Sequence, residues 1–171
     1  AAEWYEKVAA DTRSSLMERW QCLCYVARVY REMGRFPDAL RADNKAILMI
    51  PQWDDPYFGI AQTYALLEDW DKSIFWAEQS KERRPPPRLI FLNPVESQIK
   101  AAEILAFSYY NAGDFDKAIE NCEEFLSMRP KEQRILDHLE LCKKAQKAGK
   151  VVDAFVSAGT LLTDREKIEL A

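Results

Sequence analysis

The chain has 171 residues, 48% of them hydrophobic and 30% charged, with only 5 Gly; that balance suits a helical globular protein and excludes a disordered one. Its 24 Lys and Arg against 28 Asp and Glu leave a net charge of −4, so generic nucleic-acid binding has no electrostatic support. No apolar run approaches the ~20 residues that span a bilayer, and the opening "AAEWYEKVAA" carries Glu3, Glu6 and Lys7 instead of a signal-peptide core; the expectation is a cytoplasmic protein that meets neither nucleic acid nor membrane.

That opening stretch reads as the second helix of a preceding, partial repeat over 1–19. The chain starts without Met and in mid-pattern, as a piece of something longer would. "SLME", Ser15 to Glu18, has the S-x-x-E spacing of a capping box and opens the next helix. From there one phrase recurs three times: "GRFPDAL" (34–40), "EDWDKSI" (68–74) and "GDFDKAI" (113–119). The first interval is 34 residues, and the second is 45, which is 34 plus 11.

Aligned on that phrase, each copy carries a stripe ending in Tyr: Leu23, Val26, Ala27, Tyr30; then Tyr57, Ile60, Ala61, Tyr64; then Ala102, Leu105, Ala106, Tyr109. The i, i+3, i+4, i+7 spacing predicts one buried face of a first helix. Gly34 and Gly113 stand where the chain must leave that helix, since Gly accepts the left-handed conformation cheaply; the second copy has Glu68 there. Phe36, Trp70 and Phe115 plug the corner. Ala39, Ser73 and Ala118 then allow close approach of a second helix, and Pro51, Pro85 and Pro130 end it. The predicted repeats span about 20–53, 54–87 and 99–132.

The 11 extra residues fall in an insertion at about 85–98. Three prolines, 85–87, preclude helix there, and the apolar "LIFL" (89–92) is expected to fold back onto the helices. Lys81, Arg83, Arg84 and Arg88 read as a solvated basic helix end. After Pro130, residues 133–171 are expected to cap the array: a helix at about 131–148, an apolar one at "VVDAFVSAG", and a last short one opened by a second capping box, Thr163 to Glu166.

These units resemble the tetratricopeptide repeat. The resemblance implies an all-α fold, a right-handed superhelix of antiparallel helix pairs forming one domain over 1–171. The proline spacing of Pro51 and Pro56, the proline-led insertion and "AGDFDKAIENCEEFL" also resemble, over roughly 20–130, the tetratricopeptide region attached to bacterial and phage-type family 2 glycosyltransferases. The resemblance implies a non-catalytic scaffold that binds a protein or peptide. Its alternative is an accessory region of a transferase, positioning an acceptor or mediating oligomerisation, with catalysis elsewhere.

In such a superhelix the first helix of each pair lines the concave face. The implied partner-binding residues are Arg28, Arg31, Phe58, Gln62, Phe107 and Tyr110, a mix of aromatic anchors and polar grips. Cys24, Asp55 and Glu103 also fall on this face, which argues against a cationic clamp for an acidic chaperone tail. No catalytic, cofactor or metal residue is expected. The D-x-D pairs Asp69/Asp71 and Asp114/Asp116 recur at the turn, where Asp reads as a helix-start residue. Cys22, Cys24, Cys122 and Cys142 read as buried reduced thiols; none has the CxxC spacing of a zinc site, and His138 has no metal-ligand neighbour in sequence.

Overall fold

The computed structural model describes residues 2–83 and 94–150. The expected prolines 85–87, "LIFL" at 89–92, Arg84, Arg88 and every helix after 150 lie outside the described residues. Within them the chain is helical throughout, with no strand. The helices are α1 (Ala2–Ala10), α2 (Leu16–Glu32), α3 (Phe36–Met49), α4 (Asp55–Leu66), α5 (Trp70–Glu82), α6 (Pro94–Ala112) and α7 (Phe115–Met128). An eighth, α8, runs over 133–150.

Local chemistry sets these boundaries. Ser15 accepts a hydrogen bond from the Glu18 amide while the Glu18 carboxylate accepts one from the Ser15 amide, so the capping box at the start of α2 is present. Helix α3 stops one residue before Ile50–Pro51, and α7 stops just short of Pro130, because the residue before proline is pushed out of helical geometry. Asp69 and Asp114 cap α5 and α7, each accepting from an amide three residues on, Lys72 and Lys117. The recurrent D-x-D therefore satisfies helix-start amides.

The three corners share one geometry. The amides of Arg35, Asp69 and Asp114 donate back to the carbonyls of Tyr30, Tyr64 and Tyr109 at 2.8, 3.0 and 2.9 Å. The residue just before each donor has positive φ: 71° at Gly34, 57° at Glu68 and 85° at Gly113. This is a Schellman closure. The second copy keeps it with a glutamate in the left-handed region, at a steric cost of roughly 1–2 kcal/mol.

Helices α2–α3, α4–α5 and α6–α7 form the pairs, and each second helix packs on the next first helix. Ala39, Ser73 and Ala118 are fully buried at the crossings. The tyrosine-ended stripes become core except at Tyr64, which is only half-buried, and Phe125 of α7 and Ile135 of α8 join them. Burying a side chain of the size of Phe125 contributes ~1.5–3 kcal/mol. At the other end Trp20 and Trp53 meet edge to face, with ring centroids 4.4 Å apart.

Candidate groove on the first helices

Helices α2, α4 and α6 lie side by side, and their shared face holds a groove of about 770 Å³. Arg28, Arg31, Phe58, Gln62 and Phe107 line it, together with Leu66, Lys100, Glu103 and Ile104. A second hollow of about 520 Å³ continues it toward Trp20 and Trp53, sharing Arg28, Arg31, Phe58, Gln62 and Lys100. The helical spacing explains the set: Phe58, Gln62 and Leu66 stand one turn apart on α4, as do Lys100, Ile104 and Phe107 on α6. A larger hollow, about 1270 Å³, lies between α1 and α3 and includes none of the six residues expected to bind.

The sixth, Tyr110, lies outside both parts of the groove. Its ring packs against His138 of α8, with centroids 5.2 Å apart, and against Phe115 at 5.7 Å. Phe107 stacks on the same imidazole at 4.0 Å, so one side of its ring is covered.

Arg31 reaches the groove floor, but its guanidinium is engaged. It donates to the Asp43 carboxylate at 2.5 Å and to the Gly59 carbonyl at 3.1 Å. Its side chain is 10% exposed and that of Asp43 is 1%. One arginine thus ties α2 to α3 and α4. Burial pushes the Asp43 carboxyl up to about 7, against the pull of Arg31. Such a pair is costly to break, because removing one partner strands the other charge in a poor solvent. The crossing depends on Gly59: a β-carbon there would fall 2.7 Å from one Asp43 oxygen and 2.9 Å from an Arg31 nitrogen. Burial likewise raises the Asp54 carboxyl to about 6, with Asp55 beside it adding to the effect.

The remaining cations of this face are also matched. Lys100 stands 3.9 Å from Asp55 and Arg28 4.0 Å from Glu32, while Arg134 donates to Glu103. Two of these cations also sit over groove rings, Lys100 above Phe58 and Arg134 above Phe107. What the groove offers a guest is apolar and aromatic surface, with the Gln62 amide at its middle. Sequence spacing places these residues on one face; it does not show that their charges are internally neutralised, since most of the pairs join different helices.

At the far end three buried side chains converge: Cys122 of α7 with His138 and Cys142 of α8, their ligand-type atoms all within 4.8 Å of one another. They are a metal-capable set that spacing along the chain conceals, because Cys122 lies on another helix. Elsewhere, Lys81 donates to Glu124, and Arg83 packs over Tyr57 with 4.0 Å to the ring centroid. These two cations of the basic helix end thus make packing contacts and are not simply solvated.

The arrangement is that of a helical-repeat protein presenting one continuous groove, a tetratricopeptide-type solenoid. The tetratricopeptide repeat family model matches residues 99–132, the stretch that holds most of α6 and all of α7. Among solved structures, MamA is similar, at 20% identity and a TM-score of 0.67 over 85% of this chain and 77% of that one. So is the first tetratricopeptide domain of Spaghetti (RPAP3) bound to the HSP90 peptide SRMEEVD, at 14% identity and a TM-score of 0.65 over 75% and 95%. The first such domain of human RPAP3 scores 0.65 at 15% identity, over 77% and 94%. At these identities the likeness establishes the fold. No curated protein sequence matches the chain.

Proposed function

We propose that this chain is a non-catalytic scaffold that binds a protein segment along its concave face, with Phe58, Ile104 and Phe107 as apolar anchors and Gln62 as a central polar grip. The observation that carries this reading is the charge pairing of the groove. Arg28, Arg31, Lys100 and Arg134 each face a carboxylate of the chain itself. A ligand carboxylate would have to displace one of those partners, whereas an apolar side chain meets a half-buried aromatic floor. Interfaces concentrate their energy in a few such anchors. The acidic peptide SRMEEVD in the Spaghetti (RPAP3) structure supports a peptide as the class of guest and serves as the negative comparison here. Arg28 belongs to the rim, Arg31 to the scaffold beneath, and Tyr110 supports Phe107 through His138.

The test is a peptide array probed with the purified chain, carrying apolar helical and extended sequences alongside SRMEEVD. Binding to apolar sequences that Phe58→Ala and Phe107→Ala abolish, with Arg28→Ala near neutral, is the expected result. Preferential capture of SRMEEVD, lost in Arg28→Ala, overturns it. One continuous domain over 1–171, with a cytoplasmic location where free thiols persist, belongs to the same proposal. The accessory-region reading, a partner to a transferase domain, rests on the sequence likeness over roughly 20–130. Within the described residues no helix is long and apolar enough to cross a membrane.

A further inference from the structure

We propose that Cys122, His138 and Cys142 form a binding site for one thiophilic divalent d10 cation, of which zinc is the physiological example. His138 and Cys142 are four residues apart on α8, so they project from one face, and Cys122 meets them from α7. All three are buried and both cysteines are free thiols. Their ligand-type atoms lie within 4.8 Å of one another. Tetrahedral bonds of ~2.3 Å to sulfur and ~2.0 Å to nitrogen place ligand atoms roughly 3.5–3.8 Å apart, so the cluster tightens by about 1 Å to close on an ion.

The surroundings hold the imidazole in place. Nε2 of His138 lies 3.4 Å from the Ala106 carbonyl, an outer contact of the kind that fixes the ring of a metal-bound histidine. Phe107 and Tyr110 pack against the same ring, at 4.0 and 5.2 Å between centroids. The charges balance as a buried site requires. Each thiol releases its proton to solvent as its metal–sulfur bond forms, and the neutral imidazole donates a nitrogen lone pair. Two thiolates and one divalent ion make a neutral unit, which an apolar core tolerates far better than a net charge. A monovalent ion such as copper(I) would leave one negative charge. Three protein ligands leave the fourth tetrahedral position to water or an exogenous ligand. The site joins α7 to α8 directly beneath Phe107, so its occupancy would stiffen one end of the groove.

The experiment titrates the reduced, tag-free chain with cadmium and follows thiolate-to-metal charge-transfer absorption, then adds zinc as competitor. One cadmium per chain, displaced by zinc, retained in the Cys22→Ser/Cys24→Ser variant and lost in Cys142→Ala, is the expected result. The chain has a single histidine, so its imidazole NMR signals belong to His138, and zinc must shift them in the wild type. That readout stands even where Cys142→Ala fails to fold. Unmoved imidazole signals, no charge-transfer band at stoichiometric cadmium, or a band that follows Cys22 and Cys24 overturns the proposal and leaves three core side chains packed together.

Discussion

Ser73 and Ser108 meet through their hydroxyl oxygens at 2.8 Å across the packing of α5 on α6, 35 residues apart in the chain. Ser73 also donates to the Ala61 carbonyl at 3.1 Å, so Ser108 is the donor in the pair. The contact lies at the junction where the repeat spacing is lengthened by the insertion. Removing the Ser73 hydroxyl leaves that of buried Ser108 without this partner, at ~1–2 kcal/mol, whereas removing that of Ser108 costs Ser73 one bond and leaves its bond to the Ala61 carbonyl. We expect Ser73→Ala and Ser108→Ala each to lower the urea midpoint, and the double variant to cost less than their sum by about 1 kcal/mol. Strict additivity would mean that the two hydroxyls are not coupled.

Glu68 occupies the corner position that Gly34 and Gly113 hold in the other copies, at φ 57°. Glu68→Gly should relieve the left-handed strain, offset in part by the extra freedom of glycine in the unfolded chain. The net gain is expected at about 0.5–1 kcal/mol. Gly34→Ala should lose a similar amount. Thermal unfolding of the two variants, with opposite shifts in Tm, checks the pair; a lower Tm for Glu68→Gly would show that the glutamate stabilises the corner in another way.

These corners are legible in the sequence because they are local. A seven-residue phrase contains the turn, the cap and the first turn of the second helix, and the capping box of Ser15 and Glu18 needs only four residues. The full burial of Ala39, Ser73 and Ala118 follows from the same short register. Arg31 reads as a partner grip in sequence because its actual partners, Asp43 and Gly59, stand 12 and 28 residues away. Tyr110 reads onto the groove because its neighbour His138 belongs to α8, whose rotation against α6 no repeat motif specifies. Side-chain commitments between helices depend on packing, and one chain without repeats of that packing does not display them.

Gly59 carries the crossing of α4 over the Arg31–Asp43 pair. Gly59→Ala raises helix propensity by about 1 kcal/mol, yet its methyl would push the two charges apart inside the core. The expected net effect is a loss of about 2 kcal/mol. Gly149 provides the control, since a β-carbon added there meets nothing within 4 Å: Gly149→Ala should be neutral or stabilising. Equal effects at the two positions in denaturant titrations would show that the pair has room to give.

Asp54 is buried, and its carboxyl is raised from 3.8 to about 6, chiefly by burial and then by Asp55. The folded chain holds this proton more tightly than the unfolded one. The stability it contributes is therefore full below pH ~4 and is lost as pH rises through about 6. Asp54→Asn removes that dependence. Relative to wild type, the variant should gain about 1–3 kcal/mol between pH 4 and pH 7. Urea midpoints measured across that range would settle it; a stability difference that does not change with pH would place the titration elsewhere.

The substantial contacts among α1 to α7 all join helices one or two places apart in the chain. Each helix can therefore find its partners while distant segments are still unformed, and loop closure costs little. Such a chain should fold quickly for its length and need not wait for its two ends to meet. Its opening in the native state should be graded: amides of the outer helices exchange with solvent first, and those of α4 and α5, flanked on both sides, exchange last.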